Sequence, residues 1–150
     1  DVVYTHNLAD KHPTHIAVVF RTIQDLRQMD RDALPNNVYG CEAWRDLDWL
    51  PDSLKTCFDC SDKTDLQEAL LSVFDSQISA GKRYDLAAMG RRLAHATFFQ
   101  SHATDTFSHL SFAMDLTPLV VDPNLDIEGF TRALMHQFEQ DVISTFRAAS

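Results

Sequence analysis

Val2-Val3-Tyr4-Thr5 runs into a polar loop, His6 to His12, and then into Pro13, after which Ile16, Val19, Phe20, Ile23 and Leu26 recur at helical spacing. This order limits the fold more than any other feature of the chain. A short strand that feeds a one-sided amphipathic helix must bury both apolar surfaces, and layering helix on sheet does so. Pro13 suits the first helical position, where its missing N–H costs nothing. Charged residues from Asp30 onward, with Pro35, end this helix near Met29.

The alternation continues. Val38-Tyr39-Gly40-Cys41-Glu42-Ala43-Trp44 reads as a strand, Arg45 to Pro51 as a loop or single turn, and Thr56 to Cys60 as a further short strand. Thr64 or Ser61 caps a helix carrying Leu66, Leu70, Val73, Phe74 and Ile78, and Gly81 stops it. A second helix is expected over 85–101, with Leu86, Met89, Leu93 and Ala96 on its buried side, joined by Phe99 or Gln100. His109 to Leu116 alternates as a strand or extended loop, limited by Pro118. The last helix spans about 126–147, with Ile127, Phe130, Leu134, Phe138, Val142 and Phe146 in register. The fold class is therefore α/β, with a small sheet and a helix-rich C-terminal part. Trp44 is expected in the core, while Trp49 suits either core or surface, since large aromatics more often fill cores than stack on ligands.

The 150 residues fit a single domain, and 45% apolar with 23% charged residues describes a folded globular chain. A net charge of −9 argues against nucleic acid or an anionic membrane as the main partner. No run is long enough for a membrane span and no signal-peptide pattern opens the chain, so a cytoplasmic location is expected. Three cysteines, Cys41, Cys57 and Cys60, suit a reducing compartment. Cys57-Phe58-Asp59-Cys60 has redox or zinc-knuckle spacing but no second pair and no evident helix start behind it. These read as two ordinary cysteines in or beside a strand. The chain opens at Asp1, directly in what reads as a core strand, and this is expected of the later part of a longer protein.

Three of the seven histidines, His6, His12 and His15, fall within the first fifteen residues. If Pro13 starts the helix, the rings of His12 and His15 both stand at its N-terminus and can turn toward one point. Neutral imidazole is the commonest zinc ligand, and a helix N-terminus adds partial positive charge beside an oxyanion. His-x-x-His alone is common, however, and also serves simply to cap and cover a helix start.

The run Tyr4-Thr5-His6-Asn7-Leu8-Ala9-Asp10-Lys11-His12-Pro13-Thr14-His15 resembles the second zinc motif of the PIG-L/LmbE-like N-deacetylases, an Asp-x-His-x-x-His pattern. Phe74-Asp75-Ser76-Gln77 resembles the family's Ser-Gln segment, and Gly90-Arg91-Arg92-Leu93-Ala94 through Thr97-Phe98-Phe99 its following helix. Val38 to Leu47 is similar to a bacterial subgroup. The resemblance thus covers nearly the whole chain in order. It implies a Rossmann-like three-layer α/β fold of the LmbE-like type, present over residues 1–150 as an N-terminally truncated portion of one domain. It also implies zinc as cofactor, His15 as the metal ligand and His12 as the catalytic histidine that polarises or protonates the reacting amide. Thr14 stands where the family often has Asp. The family's upstream His-Pro-Asp-Asp run, which supplies the other ligands and the general base, has no counterpart here.

The activity implied is hydrolysis of the N-acetyl group of an amino sugar or related small molecule, completed in a longer chain. Arg45, Asp46, Ser76, Gln77, Lys82 and Arg83 are candidates for holding polar sugar groups. Arg91 and Arg92 read as helix-surface or ion-pair residues. His95 and His102, seven apart, read as packing residues on one helix face. Two other readings compete: a catalytically incomplete interaction or assembly module that keeps the fold, and a self-contained metal site of His6, His12 and His15. A truncated sheet exposes an edge strand and apolar surface, so a homo-oligomer is expected.

Overall fold

A computed structural model describes residues 1–149. The protein is α/β, about 52% helical, with a four-stranded mixed sheet in the order β1-β2-β4-β3. The strands are β1 (Val2–His6), β2 (Asn37–Cys41), β3 (Lys55–Asp59) and β4 (Leu110–Asp115). The helices are α1 (Pro13–Leu26), α2 (Thr64–Ser72), α3 (Asp75–Ile78), α4 (Tyr84–Phe98), α5 (Thr117–Val121) and α6 (Ile127–Ala148). Among the described residues no helix is long and apolar enough to cross a membrane. The chain divides into two compact units, one of residues 1–56 and 112–150, the other of residues 57–111.

In the first unit β1 and β2 run parallel, from Val2 opposite Asn37 to His6 opposite Cys41. Parallel neighbours need a crossover, and α1 supplies it. Its stripe buries Val19 and Ile23 fully, while Val18 and Phe20 stay open to solvent. Antiparallel β4 lies on the other side of β2, with Tyr39 opposite Asp115. Val38, Leu47, Leu50, Phe112, Met114, Leu116 and Leu119 complete the core.

Two charged side chains hold this core's connections. Glu42 accepts from the Leu47 N–H at 2.7 Å and from the Phe112 N–H at 3.1 Å, fixing the loop after β2. Arg27, just past α1, donates from Nε to the Leu119 carbonyl and from Nη2 to the Leu125 carbonyl, each at 2.6 Å. Hydrogen bonds from a charged donor contribute about 1.5–3 kcal/mol. Arg27→Ala is therefore expected to lower the urea midpoint by an amount equivalent to about 2 kcal/mol. A midpoint equal to the parent's would show that the two bonds contribute nothing.

The second unit departs from the sequence expectation. Instead of one helix from Thr64 to Gly81, α2 ends at Ser72 and the chain leaves helical geometry at Phe74 before α3. Gly81, at φ +90°, then takes a left-handed turn that side-chain-bearing residues rarely adopt. α2 also faces the opposite way. Gln67 is its buried residue, donating to the Cys60 carbonyl and accepting from Arg92 Nη1 on α4, both at 2.6 Å. That pair of bonds turns the polar side inward and leaves Leu66, Leu70 and Val73 exposed. On α4 the buried residues are His95 and Ala96, whereas Leu86 and Leu93, expected inside, are exposed. His102 lies beyond the end of α4, so the two histidines do not share a helix face.

Candidate active site at the ends of two parallel strands

Because β1 and β2 are parallel, they release the chain at the same end, at His6 and Cys41. In open α/β sheets, ligands bind in the crevice beyond such carboxyl ends. The loops that follow, 7–12 and 42–46, meet there at very short range. A Cβ on Gly40 would stand 2.9 Å from Leu116 Cδ1, 3.0 Å from the Asn7 Cα and 3.2 Å from the His6 carbonyl oxygen. Only glycine permits this approach.

Asn7 ties the two loops together. It is fully buried; its Nδ2 donates to the Cys41 carbonyl at 3.0 Å and the Arg45 carbonyl at 3.3 Å. Its Oδ1 accepts from the Ala9 N–H at 3.0 Å.

Asp10 sits at the centre of the same junction, its side chain wholly shielded from solvent. Oδ1 accepts from the His12 N–H at 2.9 Å, and Oδ2 from the N–H groups of Trp44 at 2.9 Å and Arg45 at 3.3 Å. Burial alone would push its pKa up. The backbone donors of His12, Arg45 and Trp44, together with His15, outweigh that and hold the carboxyl below the ordinary aspartate value. A permanent negative charge is thus fixed under the histidines.

His15, on the first turn of α1, places Nδ1 3.2 Å from Asp10 Oδ1, outside hydrogen-bond alignment but within ion-pair range. A carboxylate so close favours the tautomer with the proton on Nδ1 and the lone pair on Nε2, without a hydrogen bond that fixes it. His12 has the opposite arrangement. As N-cap of α1, its Nδ1 accepts from the Thr14 N–H at 3.2 Å, so the proton of the neutral ring sits on Nε2. The rings are close, with centroids 4.8 Å apart. One imidazole therefore offers a lone pair and its neighbour a proton.

His6 lies flat on His15, centroids 3.9 Å apart and planes within 1°. Burial, then the neighbouring His15 and His12, lower its pKa against the opposing pull of Asp10, so it favours the neutral form. An imidazole binds a metal in its own plane, and two parallel stacked planes do not converge on one ion. The three-histidine site is accordingly not formed in this arrangement, and among the described residues no group of three His, Cys, Asp or Glu is placed to hold a metal. His15, with Asp10 behind it, is at most a single candidate ligand, and one histidine does not by itself make a metal site.

The remaining candidates are distributed between the units. Arg45 is exposed, and its backbone N–H, not its guanidinium, is what reaches Asp10. Asp46 is half-buried in the same loop. Ser76 and Gln77 are exposed on α3, and Lys82 and Arg83 are exposed ahead of α4, in the unit of residues 57–111. Arg83 is engaged with Asp85 through two bonds of 2.9 and 2.6 Å, which lower the Asp85 pKa to about 2. Arg91 is half-buried, and Arg92 serves Gln67.

Two residues of the junction have no site role on sequence grounds: Asp10, although the motif contains it, and Trp44. Trp44 is the clear correction. The strand pattern puts it in the core, yet β2 ends at Cys41 and Trp44 is 38% exposed, its ring centroid 6.1 Å from that of His12. The Asp10 bond to its N–H bends the chain out of the strand there, which no local pattern announces. Set against known families, curated proteins and solved structures, the chain matches none of them.

Proposed function

We propose that this chain supplies part of the active site of a zinc-dependent N-deacetylase of the PIG-L/LmbE-like kind, acting on the N-acetyl group of an amino sugar or related compound. The observation that carries this reading is the division of labour between adjacent imidazoles, His15 with a lone pair favoured by Asp10 and His12 with a proton set by the Thr14 N–H. The parallel β1-α1-β2 unit with its junction at the strand ends supports the Rossmann-like three-layer fold of that family. The other ligands and the general base that this chemistry needs are not grouped with His15 among the described residues.

Zinc held in part by His15 would polarise the acyl carbonyl and make a bound water more acidic. His15 is the ligand this chain contributes, and Asp10 favours its ligating tautomer. His12 donates a hydrogen bond from Nε2 to the oxygen on which charge develops. Its Nδ1 bond to Thr14 fixes that direction. Arg45, in the loop that carries Trp44, is the candidate of the same unit for polar groups of the substrate.

In the protein that releases acetate, His15→Ala is expected to weaken zinc binding roughly a hundredfold by competition with a chromophoric chelator. His12→Ala is expected to leave zinc affinity near the parent's while kcat for acetate release from N-acetylglucosamine falls about 100- to 1000-fold. Full zinc affinity in His15→Ala sinks the proposal.

A second reading, an assembly module, is favoured by the apolar residues left open on α2 (Leu66, Leu70, Val73) and on α6 (Met135, Phe138, Val142, Phe146). It predicts a sedimentation coefficient that rises with concentration and that Leu70→Glu or Val142→Glu reduces. A concentration-independent monomer would remove it.

A further inference from the structure

We infer that His6 is the positioning residue that sets the plane of the His15 ring, and with it the direction in which His15 Nε2 points. The use made of that ring rests on the deacetylase reading, whereas the positioning rests on the stacked geometry of the pair. A histidine ring turns easily about its Cβ–Cγ bond, because that torsion has broad minima. At His15 no hydrogen bond stops it. Nδ1 is shielded from solvent and lies 3.2 Å from Asp10 Oδ1, yet has no aligned partner. His12 is tilted by 31° at 4.8 Å and matches neither face of the ring. His6 does match one. Its ring lies parallel to that of His15 within 1°, with centroids 3.9 Å apart, which is van der Waals contact across the faces. Turning His15 far from this plane drives its edge into His6.

A wall of this kind works only if it is rigid. His6 closes β1 opposite Cys41, and the next residue, Asn7, is fully buried. The Asn7 N–H and Nδ2 both donate to the Cys41 carbonyl, each at 3.0 Å. The sheet thus fixes the His6 backbone independently of α1, which carries His15. Burial also favours the neutral form of His6, so two cations do not face each other across the stack. An imidazole lone pair lies in the plane of its ring. His6 stands to one side of that plane, so it fixes the direction of Nε2 without competing for the group at its end.

The test is ring NMR on the full chain with isotope-labelled histidine, comparing His6→Phe, His6→Leu and His6→Ala. In the parent the order parameter of the His15 Cδ2–Hδ2 bond is expected near the rigid value of about 0.85, with Hδ2 shielded by the facing ring. His6→Ala is expected to lower it below about 0.6 and to move Hδ2 downfield. His6→Phe restores a flat face and is expected to return both values toward the parent's. His6→Leu fills the space without a plane and is expected to leave the ring mobile. In the protein that releases acetate, zinc affinity is expected to follow the same order, falling about tenfold in His6→Ala and His6→Leu and recovering in His6→Phe. A His15 ring as ordered in His6→Ala as in the parent overturns the positioning. So does His6→Leu restoring order as well as His6→Phe, and that comparison decides alone if His6→Ala fails to fold. Ring order that follows the stack while His15→Ala keeps full zinc affinity would leave the positioning standing and remove the deacetylase reading.

Discussion

Asp10→Ala is expected to destabilise the protein by about 3–5 kcal/mol, the largest loss of any single polar substitution in the first unit. The change removes the acceptor of three backbone N–H groups, those of His12, Trp44 and Arg45, on two loops at once. Each loses its acceptor in a part-buried junction, and an unsatisfied buried donor costs about 1–3 kcal/mol. Asp10→Asn keeps the shape and one acceptor oxygen but turns an amide NH₂ toward one set of donors, so an intermediate loss is expected. Urea unfolding followed by circular dichroism measures both. An Asp10→Ala midpoint equal to the parent's would show that the carboxylate does not organise the junction. Under the proposed deacetylase reading, Asp10→Ala is also expected to lower zinc affinity about 10- to 100-fold, because the carboxylate no longer biases the His15 ring.

The same carboxylate predicts a pH dependence. Its folded-state pKa lies below the unfolded value of 3.8, so the unfolded chain binds its proton first as pH falls. The stabilisation is complete above 3.8 and is lost as pH falls through the folded value. His6 acts in a higher window with the same sign. Its folded pKa lies below 6.5, so its contribution is complete above 6.5 and declines as pH drops toward the folded value. Melting temperature measured from about pH 8 to about pH 3 is expected to decline in two stages. The upper stage should be absent in His6→Gln and the lower one in Asp10→Asn.

Gly40→Ala is expected to cost about 1–3 kcal/mol, and Gly40→Val more, although glycine in a strand ordinarily weakens it. The added Cβ meets Leu116 Cδ1 at 2.9 Å and the Asn7 Cα at 3.0 Å. Leu116 is fully buried and cannot swing away, and the Asn7 contact is to backbone. Relief requires the 7–12 loop to lift from β2, which breaks the Asn7 bonds to Cys41 and Arg45 and displaces His12 with them. Thermal melting of Gly40→Ala above the parent's temperature would contradict this packing argument.

Sequence periodicity is sufficient for α1. Pro13 and the stripe through Val19 and Ile23 name both its start and its buried face, and the helix follows them. β1, β2 and α6 are placed where the pattern puts them, but burial departs from it: β1 reads as a core strand yet exposes Val2 and Tyr4, β2 stops at Cys41, and α6 buries Ile127 and Leu134 while Phe138, Val142 and Phe146 stay exposed. Periodicity fails for α2 and holds only in part for α4, where Ala96 is buried and Met89 half-buried while Leu86 and Leu93 are exposed. An apolar stripe says that a helix has two sides and does not say which side another element will cover. Gln67 settles that by satisfying the Cys60 carbonyl and meeting Arg92, two partners 7 and 25 residues away in sequence.

For the candidate site, the sequence by itself determined which chemical groups are available: His12 and His15 at the start of a helix, with Asp10 just before them. It could not determine their protonation roles. Those depend on which ring nitrogen is already engaged, and that follows from the Asp10 carboxylate and the Thr14 N–H in three dimensions. Nor could it place Trp44, 34 residues from the aspartate that holds its backbone. Hydrophobicity sends an indole inward. Tertiary structure ends β2 at Cys41 and leaves this one exposed in the loop that follows, where only its backbone N–H is tied to Asp10.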